Sequence, residues 1–102
     1  MDLSRLQAHA GEAASLLQQL ANQNRLMIVC TLIDGEMSVG ELNERIPLSQ
    51  SALSQHLASL RRAGLVATRR DGQTIYYRIQ GDRAVRVVAL LKELFCPDED
   101  VL

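Results

Sequence analysis

Along "LQAHAGEAASLLQQLA" the residues Leu6, Ala10, Ala13, Leu17 and Leu20 recur in steps of four and three, the spacing that gathers side chains on one face of an α-helix. That stripe is narrow and rich in alanine, which suits close packing against another helix. "NRLMIVCTLI" follows and is apolar nearly all round, so it is expected at the centre of a core. Asp34 and Gly35 supply the turn chemistry that ends it. Ser38 stands three residues before Glu41, a capping-box spacing that opens a short helix over "VGELNERI". Pro47 stops that helix because it has no backbone N–H to give. Ser49 caps the next one, "QSALSQHLASLRRA", and Gly64 follows where helices commonly end in a left-handed residue.

The period then changes to two. In "TIYYRI" the residues Ile75, Tyr77 and Ile79 share one face while Thr74, Tyr76 and Arg78 share the other. Between "LVATR" and this run, "RRDGQ" carries an Asp-Gly turn signal, so a β-hairpin with Arg69 and Arg70 at its tip is expected. A last helix, "RAVRVVALLKELF", reaches Cys96 just before Pro97. Helix, helix, helix, helix, hairpin, helix is the order of a mainly α winged helix-turn-helix domain with an extra helix at each end. With 102 residues and 47% hydrophobic content, one domain over 1–102 is expected. The chain holds no apolar run long enough to span a bilayer, and "MDLSRLQAHAGEAASLL" lacks the order of a secretory signal. A cytoplasmic protein without membrane association follows as the expectation.

Charge changes this picture. The formal net charge is −1, yet residues 49–79 carry +4, against −3 for 1–48 and −2 for 80–102. A polyanion responds to the local field, which salt screens beyond about 10 Å at 0.1 M. On the second helix of the pair, Leu53, Leu57 and Leu60 fall within about 60° of one another and face inward. Ser51, Ser54, Gln55, Ala58 and Arg62 fall on the opposite side. Hydroxyl and amide groups can donate and accept at base edges, and a small Ala58 lets the helix approach a groove. A merely solvated face usually carries Lys and Glu in pairs, whereas neither Lys nor any acid occurs from Ser49 to Arg70. Contact with DNA is therefore favoured, with Arg61, Arg62, Arg69, Arg70 and Arg78 as phosphate contacts. His56 lies at the edge of the apolar stripe, open to either a half-buried structural role or a phosphate contact.

"LSQSALSQHLASLRRAGLVATRRDGQTIYYRI", with "ANQNRLMIVCTLIDGEMSVGELNERI" ahead of it, resembles the ArsR/SmtB repressors over nearly the whole chain. The resemblance implies a homodimer, built mainly by the first and last helices, that binds an imperfect inverted repeat in duplex DNA and loosens when an inducer is sensed. By position, Gln50, Ser51, Ser54, Gln55 and His56 fall where that family reads the major groove, and Arg69, Arg70 and Gln73 fall on the wing. The family's thiolate metal site would lie at Ser38 and Gly40, which cannot hold a soft metal. Its other common site would lie at Asp82, Ala84, Phe95 and Asp98, where both imidazoles are missing. A metal site is thus not expected, nor any other cofactor.

Two cysteines, Cys30 and Cys96, are too few for a disulfide framework and too far apart for a CxxC motif. Cys30 inside "LMIVCTLI" reads by itself as a small buried hydrophobe, but no core near the chain's end demands a thiol at Cys96. Their placement is similar to the thiol-switch branch of the family, regulators of the HlyU, BigR and SqrR type. That similarity implies a reactive pair, closed to a disulfide by oxidant or bridged by persulfide and polysulfide. A metal-responsive repressor and a redox-independent regulator that relieves silencing of virulence genes stand as alternatives. A thiol enzyme is not expected: it needs a basic neighbour beside an exposed thiol, absent near Cys30 in sequence, while acids follow Cys96.

Overall fold

The computed structural model describes residues 2–97. The chain folds as α1 (Leu3–Leu20), α2 (Gln23–Ile33), β1 (Met37–Ser38), α3 (Val39–Arg45), α4 (Gln50–Arg62), β2 (Val66–Asp71), β3 (Thr74–Ile79) and α5 (Arg83–Phe95). Local chemistry sets most of these boundaries. The Asn22 side chain accepts from the N–H groups of Asn24 and Arg25 and so begins α2. Ser38 and Glu41 form the reciprocal capping box at 3.0 and 3.1 Å, and Ser49 Oγ accepts from the Ala52 N–H, each satisfying donors that a helix start leaves free. Gly64, at φ +77°, makes the left-handed exit from α4 that a side chain would strain.

Two sequence expectations are corrected. A two-residue strand, β1, precedes α3 and pairs with β3 through Met37↔Tyr77, so the hairpin is part of a three-stranded antiparallel sheet of order β1-β3-β2. The turn also lies further on than expected. Asp71 pairs with Thr74, leaving Gly72 and Gln73 as the two-residue loop, with positive φ at Gly72 alone. Glycine first in a two-residue loop matches the right-handed twist of the strands better than an Asp-Gly centre would with only one positive φ available. Arg69 and Arg70 therefore sit within β2, not at the tip.

The core gathers Ile28, Val29 and Leu32 of α2, Leu42 and Ile46 around α3, Leu53, Leu57 and Leu60 of α4, Val66, and Ala84 and Val88 of α5. On α2 the burial is one-sided, since Met27 remains 47% exposed. On α1 only Leu20 is buried, whereas Leu6 and Leu17 are 47% and 58% exposed. The α1 stripe thus runs past the core, and much of it faces outward.

Candidate DNA interface and cysteine pocket

Helix α4 buries its three leucines completely and turns Gln50, Ser51, Ser54, Gln55, Ala58, Arg61 and Arg62 to solvent. Burial of leucines at about 1.5–3 kcal/mol each fixes the rotation of the helix, and with it the direction of the polar face. Ala58, Arg61 and Arg62 border a cleft of about 380 Å³ together with Tyr77 of β3. The outer end of α4 and the root of the hairpin are thereby one continuous surface.

His56 is half-buried. Its Nδ1 accepts from Arg25 Nε at 3.1 Å. A guanidinium can only donate, so Nδ1 carries no proton in this contact. Arg25 also donates to Gln19 Oε1 at 2.9 Å, and the Ser59 hydroxyl donates to the same oxygen at 3.0 Å. One polar network therefore ties α1, α2 and α4 together. Neither Gln19 nor Arg25 was singled out by sequence, because their partners lie far along the chain.

On the wing, Arg69 pairs across the strands with Tyr76, and its guanidinium carbon lies 4.6 Å from the ring centroid. Its Nε donates to Glu36 Oε1 at 2.9 Å, and Asp71 lies 3.9 Å away. The hydrogen bond from Arg69 holds Glu36 below the usual carboxylate range, helped by the positive charges of Arg69 and Arg78. Arg69 is pushed up by the same contact. Arg70 Nε donates to the Gly72 carbonyl at 3.2 Å and so clasps the turn. Gln73 and Arg78 are exposed.

A second feature lies on the far side of α2. Cys30 of α2 and Cys96, which follows α5, line one pocket of about 240 Å³ with Leu26, Val88, Leu91, Lys92 and Phe95. Both are free thiols, Cys30 half-buried and Cys96 exposed. Burial pushes the Cys30 thiol up, Lys92 pulls it down, and Asp34 and Cys96 add smaller upward pushes. The expectation that Cys30 lacks a basic neighbour holds along the chain only, since α5 brings Lys92 across to it.

The positions matched to the family's metal sites are otherwise engaged. Ser38 is spent on its capping box, Gly40 lies in α3, Asp82 lies 3.9 Å from Arg86, Ala84 is buried and Phe95 is exposed. Asp98 lies outside the described residues. Among the described residues, no group of three or more His, Cys, Asp or Glu is placed to hold a metal, and no helix is long and apolar enough to cross a membrane.

Two short helices joined by a turn, the second polar on its outer face and flanked by a twisted hairpin, define a winged helix-turn-helix DNA-binding domain. The family model described as bacterial regulatory protein, arsR family, matches residues 22–68. The transcriptional activator HlyU of Vibrio cholerae is 48% identical over 96 residues, 94% of this chain and 89% of that protein. A solved structure of reduced HlyU from that organism aligns with a TM-score of 0.83, covering 90% of this chain and 97% of that one. The transcriptional repressor BigR of Xylella fastidiosa aligns with a TM-score of 0.87 at 44% identity, over 94% and 98% of the two chains. A homodimeric winged helix-turn-helix domain of Mycobacterium bovis aligns with a TM-score of 0.77 at 33% identity, over 96% and 89%. The chain belongs to the ArsR family and is a DNA-binding transcriptional regulator.

Proposed function

We propose that this regulator acts in the cytoplasm as a homodimer, each 1–102 chain one domain, gripping an inverted-repeat operator that it releases when Cys30 and Cys96 are joined. Gln50, Ser51, Ser54 and Gln55 read base edges in the major groove, with His56 beside them at the groove wall. Arg61, Arg62, Arg69, Arg70 and Gln73 hold the phosphates on either side. The inducer is an oxidant or a reactive sulfur species, persulfide or polysulfide. One observation carries the switch: two thiols, one on α2 and one just past the end of α5, share a single pocket. Joining them draws α5 against α2, and α2 is bonded through Arg25 to His56 of α4. HlyU is named an activator and BigR a repressor, so the same grip on DNA can serve either sign of regulation.

The test is fluorescence anisotropy on an operator selected from random-sequence DNA, using the wild type, Cys30→Ser and Cys96→Ser. Treatment with polysulfide or peroxide is expected to weaken the wild type by roughly 5 to 150-fold, the span of ordinary allosteric coupling. Both variants should bind like the reduced wild type and ignore the treatment. Release of operator by treated Cys96→Ser would rule out the two-cysteine switch. A change of affinity when metal is titrated into the reduced protein would favour the metal-responsive alternative.

A further inference from the structure

Arg25 is half-buried where α1, α2 and α4 meet, and every group that fastens it is neutral. Its backbone N–H is held by the Asn22 cap at 3.1 Å, Nη1 donates to Gln19 Oε1 at 2.9 Å, and Nε donates to His56 Nδ1 at 3.1 Å. Among the described residues no carboxylate forms an ion pair with it. An uncompensated positive charge therefore stands beside the helix proposed to face DNA, bonded to one of its imidazole nitrogens. We propose that Arg25 is a positioning residue for DNA binding: it fixes and polarises the His56 ring, whose Nε2–H donates to a phosphate oxygen at the margin of the groove. This rests on the reading of α4 as the DNA-facing helix and adds to it a residue that acts on DNA without touching it.

Because Nδ1 accepts, the proton of the neutral ring sits on Nε2. Among the described residues Arg25 is the one hydrogen-bond partner of the His56 side chain, and no buried side-chain nitrogen lacks a partner, so Nε2 opens to solvent. A cation on the far nitrogen polarises that N–H, and a polarised donor binds an anion more strongly than a free imidazole does. Placement decides which anion. His56 follows the exposed Gln55 but is itself half-buried at the edge of the leucine stripe, so it meets the margin of a groove, where phosphates lie, and not the base edges at its floor. Fastening the ring beforehand also spares the ordering that a free side chain would undergo on binding. Ser59 of α4 donates to the same Gln19 oxygen at 3.0 Å, so the ring and the helix that carries it are held to one frame.

Anisotropy on the selected operator and on random duplexes compares reduced wild type, His56→Ala, Arg25→Met and the double variant. His56→Ala is expected to weaken both kinds of DNA by roughly tenfold, as for one hydrogen bond to a charged acceptor. Arg25→Met should lose a similar factor, and the double variant no more than His56→Ala, since residues that act through one contact are not additive. In isotope-labelled protein, nuclear magnetic resonance should show the His56 Nε2–H becoming protected from exchange when DNA binds. That protection should be lost in Arg25→Met, a change that reduced stability alone would not produce. His9 is the only other imidazole, so the His56 signal is the one missing from His56→Ala. Where Arg25→Met fails to fold, Gln19→Ala, which unfastens the guanidinium but leaves it in place, carries the same comparison. Losses that multiply in the double variant overturn the proposal, because Arg25 then acts without His56. A loss in His56→Ala confined to the operator overturns the phosphate contact in favour of a base edge. His56→Ala without effect, while Gln55→Ala weakens the operator, overturns this inference alone; no effect of either overturns the reading of α4 and this inference with it.

Discussion

At the scale of single residues, the surface proposed to face DNA divides into groups assigned to reading and groups assigned to bracing. Gln55 is exposed on α4, with an amide able to satisfy a base edge in both directions, so Gln55→Ala is expected to cost about 1–3 kcal/mol on the specific operator only. Anisotropy on specific and random duplexes measures this, and an unchanged ratio between them would put the reading register elsewhere. Arg69, proposed above to hold a phosphate, is weakened in that role by its ion pair with Glu36 on the wing. Glu36→Gln should strengthen its hold on phosphate, raise affinity for all sequences and steepen the salt dependence by up to about 0.9 per protomer in the log–log slope. Since Glu36 is held below the usual carboxylate range, its contribution is complete above that range. It is lost only as pH falls through the lowered value. The Tyr76 ring resonances, followed in acid, should report the wing loosening there. None of these pairings was legible in the sequence: Glu36 lies 33 residues from Arg69, and Arg25 lies 31 from His56. Side-chain partners of that kind are chosen by the fold, after the backbone has settled.

At the scale of elements, the helices were legible because their ends carry their own chemistry. Ser38, Glu41, Ser49 and Gly64 act on neighbours within a few residues, and all four do in the structure what their spacing suggests. Strand β1 was not legible. Two residues have no period, and Met37 and Ser38 become a strand only because Tyr77 and Tyr76 lie opposite. The hairpin itself followed from alternation, but its turn moved one place because cross-strand pairing carries Asp71 into the ladder. The α1 stripe was legible as a helix face, while its outward aim was not, since periodicity does not say which neighbour a face meets. A local cap can also be tested locally. Ser49→Ala removes the acceptor for the Ala52 N–H and should destabilise the protein by about 1 kcal/mol in urea unfolding. Because α4 is the element that presents Gln55 and Arg61, operator affinity should fall with it, and an affinity that held while stability fell would show that DNA itself re-forms the first turn.

At the scale of the whole molecule, the apolar surface left open describes a missing neighbour. Leu3, Leu6 and Leu17 on α1, and Leu90, Leu94 and Phe95 on α5, are each at least 47% exposed. Lone exposed apolar side chains are ordinary, but five leucines and a phenylalanine on two terminal helices form the kind of surface that proteins cover. Arg83, at the start of α5, reaches Glu12 of α1 at 3.5 Å, so the two helices are joined at one point and can present their faces to one partner. The second copy proposed above would cover that surface, because a two-fold axis sets each patch against its own image. Sedimentation should then show a dimer at micromolar concentration, and Leu6→Glu with Leu94→Glu should give a folded monomer. Two α4 helices brought about 34 Å apart, one turn of DNA, would read half-sites of a pseudo-palindrome together. If six to ten phosphates are held across the pair, affinity should fall by roughly 10³ to 10⁵ between 50 and 200 mM salt. The monomeric variant holds about half of those contacts, so its slope against log salt should be about half as steep. A monomer that kept the full slope and the full operator preference would show that each domain reads DNA alone, and the apolar faces of α1 and α5 would then need another occupant.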